Sequence, residues 1–389
     1  FLTLRADNKG EGGIFSLYAL VRRYGRWVYI PTILGAATLM ADGIITPPIS
    51  VSSAIEGLGG VKVFEGVIVP GGDLTVGIVI AIISALFFFQ RFGTKVVGYS
   101  FGPIMLIWFS MLLILGLAQV VANPHVLHCL NPYYAYKLLT EYEGGFWLLG
   151  SVFLCTTGAE ALYSDLGHCG RQNIQASWGF VKTALIINYM GQGAWILSLE
   201  GSTLSGRNPF YELMPPWFLP LGVVVATLAT IIASQALISG SFTLISEAIQ
   251  LNFWPRVRVK FPTNVRGQIY IPSINWTLWL GCVAVMFVFR ESGHMEAAYG
   301  FFIVVAMLMT TTLMFGYLYF VRRWTIWLVL PVMAVFVTVE GAYFVANAVK
   351  LMQRPLFALS VLSLVGVMYV WFRGRKITNR FLSFVKLTD

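Results

Sequence analysis

The stretch GAATLMADGIITPPIS, residues 35–50, holds one acid in an otherwise apolar run. Thr46 follows Asp42 by four residues and Ser50 follows by eight. On an α-helix these three stack on one face, successive members about 6 Å apart along the axis. They offer a carboxylate and two hydroxyls in a column. Pro47 and Pro48 bring no N–H, so the carbonyls of Gly43 and Ile44, four residues earlier, lose their helical donors beside the acid. Mixed oxygen ligands carrying one full negative charge suit a weakly hydrated monovalent cation. The competing reading is a kinked helix whose Asp bonds to a neighbouring helix.

A second acid shifts the balance. FLCTTGAEALYSDLGHCG, residues 153–170, carries Glu160, with Thr157 three residues before it and Gly158 between, where a helix can open. Thr156 and Tyr163 are candidates for further hydroxyls. An ionised carboxylate at the bilayer centre costs about 2.5 to 3.5 kcal/mol on translocon scales, so intramembrane acids face a cavity, a partner or an ion. Two such sites in separate spans argue for a shared polar pathway. Tyr299, in AAYGFF, could donate or ligate within the bundle, although tyrosines at membrane interfaces are common. Asp165 and His168 read as solvated interface residues. Glu340 and Asn347 read as peripheral and Glu247 as lying near a cytoplasmic helix end, and all three as structural.

The elements that must hold these groups are membrane helices. The chain of 389 residues is 57% hydrophobic and only 11% charged, against about 25% charged in soluble domains. Apolar runs near the roughly 20 residues that cross a bilayer recur throughout, and in hydrocarbon such runs are helices. The expected fold is an all-α polytopic bundle of eleven spans: 11–22, 28–57, 75–90, 99–122, 146–164, 179–199, 217–250, 274–290, 297–320, 324–348 and 355–372.

The net charge of +9 is distributed by topology. Alternate connections and the tail hold seventeen Lys and Arg, from Arg22, Arg23 and Arg26 to Lys386; the other connections hold six, including Lys62, Lys137 and Arg290. This positive-inside bias puts the C-terminus in the cytoplasm and argues against a nucleic-acid patch. An odd span count places residue 1 outside, and the chain starts with Phe1, so at least one helix is expected upstream. The four cysteines, Cys129, Cys155, Cys169 and Cys282, suggest no disulfide framework. His125, His128 and Cys129 read as loop residues before they read as metal ligands. No HExxH, P-loop or GxSxG motif points to an enzyme or a cofactor.

With these residues in view, the chain resembles the potassium uptake permease (KUP/HAK/KT) family of the amino acid–polyamine–organocation superfamily. RADNKGEGGI (5–14), DGIITPPISVSSAIEG (42–57), FLCTTGAEALYSDLGHCG (153–170), RGQIYIPSINW (266–276), AAYG (297–300) and YFVAN (343–347) carry the likeness in family order. The resemblance implies a leucine-transporter-like plan of twelve helices, with two inverted five-helix repeats and a site at helices broken near the midplane. It implies a transmembrane domain over 1–372 lacking the family's first helix, then the start of a cytosolic domain at 373–389 through which a homodimer could form. Pro48 stands where the family more usually has Ala. The implied ion-pathway residues are Asp42, Thr46, Ser50, Thr157, Glu160 and Tyr299. The implied activity is K⁺ uptake across the plasma membrane, coupled to inward H⁺ movement by alternating access. A carboxyl in a dry cavity can hold a proton, so Glu160 or Asp42 would carry it. Rival readings are a cation channel, an amine permease on the same fold and a membrane enzyme.

Overall fold

The chain was analysed as a computed structural model, which describes residues 3–381 apart from 9, 61–63, 65, 93–94, 165, 200, 205–206, 263–268 and 353–354. Asp165 and several loop cations therefore lie outside the described residues. The α-helices in chain order are α1 (Ile14–Val21), α2 (Tyr29–Glu56), α3 (Asp73–Phe89), α4 (Lys95–Ala122), α5 (Pro132–Glu141), α6 (Gly145–Val152), α7 (Ala159–Ser164), α8 (Leu166–Cys169), α9 (Arg171–Leu197), α10 (Pro209–Glu212), α11 (Leu219–Gln250), α12 (Pro272–Phe289), α13 (Ser292–Gly316), α14 (Ile326–Met352) and α15 (Pro355–Phe381). Among the described residues, two isolated backbone bridges, Asn8–Glu11 and Lys260–Tyr270, stand in place of a sheet. The protein is an all-helical, polytopic membrane bundle.

Eight segments are long and apolar enough to cross a bilayer, from Arg26–Gly59 to Ile326–Lys350. Helix α2 is the axis of the bundle. Its most apolar window is 72% buried, whereas those of α4 and α14 are 17% buried. It packs most extensively on α13 and α11, then on α12 and α3. Small residues let these helices close, as expected where lipid supplies no hydrophobic drive between helices. A β-carbon at Gly43 of α2 would come within 2.4 Å of the Ser241 hydroxyl on α11.

Helices α4 and α9 form a second tight pair. A β-carbon at Gly116 would lie 2.6 Å from the Asn188 Cα, and buried Asn188 donates from Nδ2 to the Leu112 carbonyl at 3.1 Å. Helix α9 has the length of a span, but is polar enough to fall outside the eight. Helix α15 continues to Phe381, across position 372.

One expected span fails. In place of a crossing at 11–22, α1 has eight residues, about 12 Å of rise against a hydrocarbon core of about 30 Å. The residues before it pack against the bundle end formed by α7 and by the segment that follows α13. The Tyr163 hydroxyl donates to the Ala6 carbonyl at 2.5 Å, and Tyr317 donates to the Arg5 carbonyl at 3.1 Å. That end also carries Arg171, Arg322 and Arg323. The opening residues thus sit on the basic face with the tail, not opposite it, and the odd count of spans loses its premise. An apolar run misled the reading: Ile14, Phe15, Leu17 and Val21 are apolar because protein covers them, not lipid.

Candidate cation site

Helix α2 carries Asp42 through a region where both prolines sit inside a continuous helix. Asp42 is 5% exposed and Thr46 9%. The Thr46 hydroxyl donates to Asp42 Oδ1 at 2.5 Å, so the four-residue spacing closes as the helical repeat requires. The carbonyl freed by Pro48 finds a substitute donor, because the buried Cys282 thiol of α12 donates to the Ile44 oxygen at 3.2 Å. Ser50 lies one turn beyond Thr46, half-buried, and its hydroxyl has no hydrogen-bond partner among the described residues.

The span holding Glu160 is broken. Helix α6 tightens into a 3₁₀ turn over Phe153–Thr156, Thr157 is extended at φ −74° and ψ 168°, and Gly158 takes φ +99° before α7 begins. Only glycine adopts that angle without cost. Thr157 donates to the Leu154 carbonyl at 3.0 Å and accepts from the Tyr299 hydroxyl of α13, also at 3.0 Å. Glu160 Oε2 is buried without a hydrogen-bond partner among the described residues.

Tyr299 and Thr157 thus meet at the helix break, and Thr46 and Asp42 meet on α2. A cavity of about 80 Å³ runs beside them, lined by Asp42, Ala161, Ser164, Gly240 and Ser241 among others. It is large enough for a water-sized particle. The polar side chains among its lining residues, Asp42, Ser164 and Ser241, offer oxygen ligands, the donor type that suits a hard cation.

The chain matches the family described as "K+ potassium transporter integral membrane domain" over residues 1–376. It belongs to that family. A probable potassium transport system protein Kup of Flavobacterium johnsoniae is 51% identical over 395 residues, which covers 100% of this chain and 59% of the relative. Proteins with that same description from Cytophaga hutchinsonii and Clostridium perfringens are 52% and 47% identical, again over 100% of this chain and 59% of theirs. The chain thus spans about three-fifths of the length of these relatives.

Three assignments from sequence need correction. Asn347, expected to be peripheral, is 1% exposed. Glu340 is expected to be peripheral as well. It is 5% exposed, takes the Thr311 hydroxyl on Oε1 at 2.8 Å and leaves Oε2 buried and unpartnered. The signal was available, since Glu340 is an acid at the centre of the span Ile326–Lys350 and the rule applied to Asp42 covers it equally. Tyr163, expected to lend a hydroxyl to the pathway, spends it on the Ala6 backbone.

Proposed function

We propose that this chain is the membrane domain of a K⁺ uptake transporter that works by alternating access, with K⁺ held between Asp42, Thr46 and the broken helix at Thr157–Glu160. Inward H⁺ movement drives it, and Glu160 carries the proton. The observation that supports this reading best is one of charge. Asp42 and Glu340 are buried in an apolar bundle, Glu160 holds a buried carboxylate oxygen there, and among the described residues none of the three forms an ion pair. Carboxylates in such a place need bound cations or protons to balance them. A break flanked by hydroxyls and freed carbonyls provides the oxygen ligands.

The eight apolar spans, together with α9 and α15, make ten crossings on a leucine-transporter-like plan. The basic face lies in the cytoplasm with the C-terminus, and the bilayer is the plasma membrane. The relatives' description as potassium transport proteins supports K⁺ as the cargo. The test is Rb⁺ uptake by the full-length protein in cells lacking their own K⁺ importers, at two external pH values and beside Asp42→Asn. Accumulation against the gradient that rises at acid pH and is lost in the variant supports the symporter. Uptake that only follows the gradient makes the protein a channel. Uptake untouched in Asp42→Asn makes the acid a partner in helix packing.

A further inference from the structure

The half-helix α7 is six residues long, severed from α6 by the break at Thr157–Gly158, yet it carries Glu160. So short a helix does not hold itself. Something outside it must fix the acid, and residues near the start of the chain do so. Tyr163, 3% exposed, donates to the Ala6 carbonyl at 2.5 Å. A β-carbon on Gly12 would fall 2.1 Å from the Tyr163 carbonyl oxygen and 2.9 Å from its ring, so backbone rests directly on backbone. Gly13, at φ +90°, brings the place of its β-carbon within 3.0 Å of the Ser164 hydroxyl.

Ser164 is also a wall of the cavity that begins at Asp42. Gly13 thus lies against a residue that lines the cavity together with Asp42. Glycine at 12 and 13 is explained by this close approach. GEGG is neither a nucleotide loop nor a plain connection.

We infer that Tyr163 is a positioning residue: bonded to Ala6 and seated on Gly12, it pins α7, and with it Glu160, over the basic-face end of the Asp42 cavity. Release of this contact opens the cavity toward that face. The purpose assigned to the pin rests on the transport reading; the pin itself does not.

The experiment separates the two. In a cysteine-free version of the full-length protein, Ser164→Cys is exposed to a membrane-impermeant methanethiosulfonate applied to the basic face in inside-out vesicles. Tyr163→Phe keeps the ring and removes one buried hydrogen bond, so labelling is expected to accelerate about fivefold to tenfold. Gly12→Ala, which cannot keep the contact, is expected to accelerate it at least as much. A rate unchanged within twofold in Tyr163→Phe overturns the inference, even if Gly12→Ala fails to accumulate. In parallel Rb⁺ uptake, Tyr163→Phe is expected to lower the maximal rate severalfold with KM held within twofold, a split that simple loss of folded protein at constant abundance does not produce. If the parent protein moves no Rb⁺, the transport reading fails, while the labelling comparison still decides the pin.

Discussion

Thr46→Val is the sharpest probe of the site. Valine matches threonine in shape, so the buried contact surface of α2 is kept and only the hydroxyl is removed. That hydroxyl donates to Asp42 Oδ1 at 2.5 Å, with both side chains nine-tenths or more buried. A hydrogen bond to a charged partner contributes about 1.5 to 3 kcal/mol. No other described side chain donates to Asp42, so the loss is not made good nearby. If Thr46 holds the carboxylate in its cation-binding pose, the loss appears in binding, and about 1.4 kcal/mol is tenfold in affinity. KM for Rb⁺ should then rise roughly 10- to 100-fold at neutral pH, with the maximal rate much less affected. Thr46→Ser restores the donor and should stay within about threefold of the parent, since only a methyl group is lost. The assay is initial Rb⁺ uptake over a concentration series in importer-deficient cells, corrected for protein abundance. A Thr46→Val protein that accumulates normally with KM within twofold of the parent would refute the reasoning. Asp42 would then be satisfied by Thr46 for the helix's sake alone.

Other expectations follow from single contacts. Glu160→Gln should leave Rb⁺ uptake, if any remains, insensitive to external pH; a full pH response in that variant removes Glu160 from proton coupling. Cys282→Ala strips the substitute donor from the Ile44 carbonyl beside Pro48 and should cost about 1 kcal/mol in thermal stability, whereas Cys282→Ser should not; equal melting of the two counts against the carbonyl account. Gly116→Ala forces a β-carbon to within 2.6 Å of Asn188 Cα, and by overpacking should destabilise the α4–α9 pair by about 1 to 3 kcal/mol. Gly102→Ala on the same α4, with nothing within 4 Å of the new atom, should be neutral or slightly stabilising. A thermal shift no larger for Gly116→Ala than for Gly102→Ala would show that the close approach does not matter.

What the sequence made legible, and what it hid, follows from the range of the interaction involved. Asp42 and Thr46 were readable because their contact is set by the helical repeat, and the break at Thr157–Gly158 because a glycine beside an intramembrane acid marks where a helix can open. The partner of the Ile44 carbonyl was not readable: prolines announce that a donor is missing, but the donor, Cys282, is 238 positions away in sequence. Hydropathy identified long spans well but mistook α1 for one, since side chains covered by protein and those covered by lipid look alike in composition. The error propagated, because topology is a parity count and one false span reverses the side of everything before it. Packing corrected it: Ala6 and Arg5 meet Tyr163 and Tyr317 at the end rich in arginine. Once the GEGG loop is on that face, its glycines acquire a physical cause. They let the chain lie flat on a half-helix too short to stay in place unaided, and that half-helix carries Glu160. The acid chosen from sequence for its chemistry is thus positioned by residues some 150 places earlier in the chain, which no local pattern around Glu160 could have disclosed.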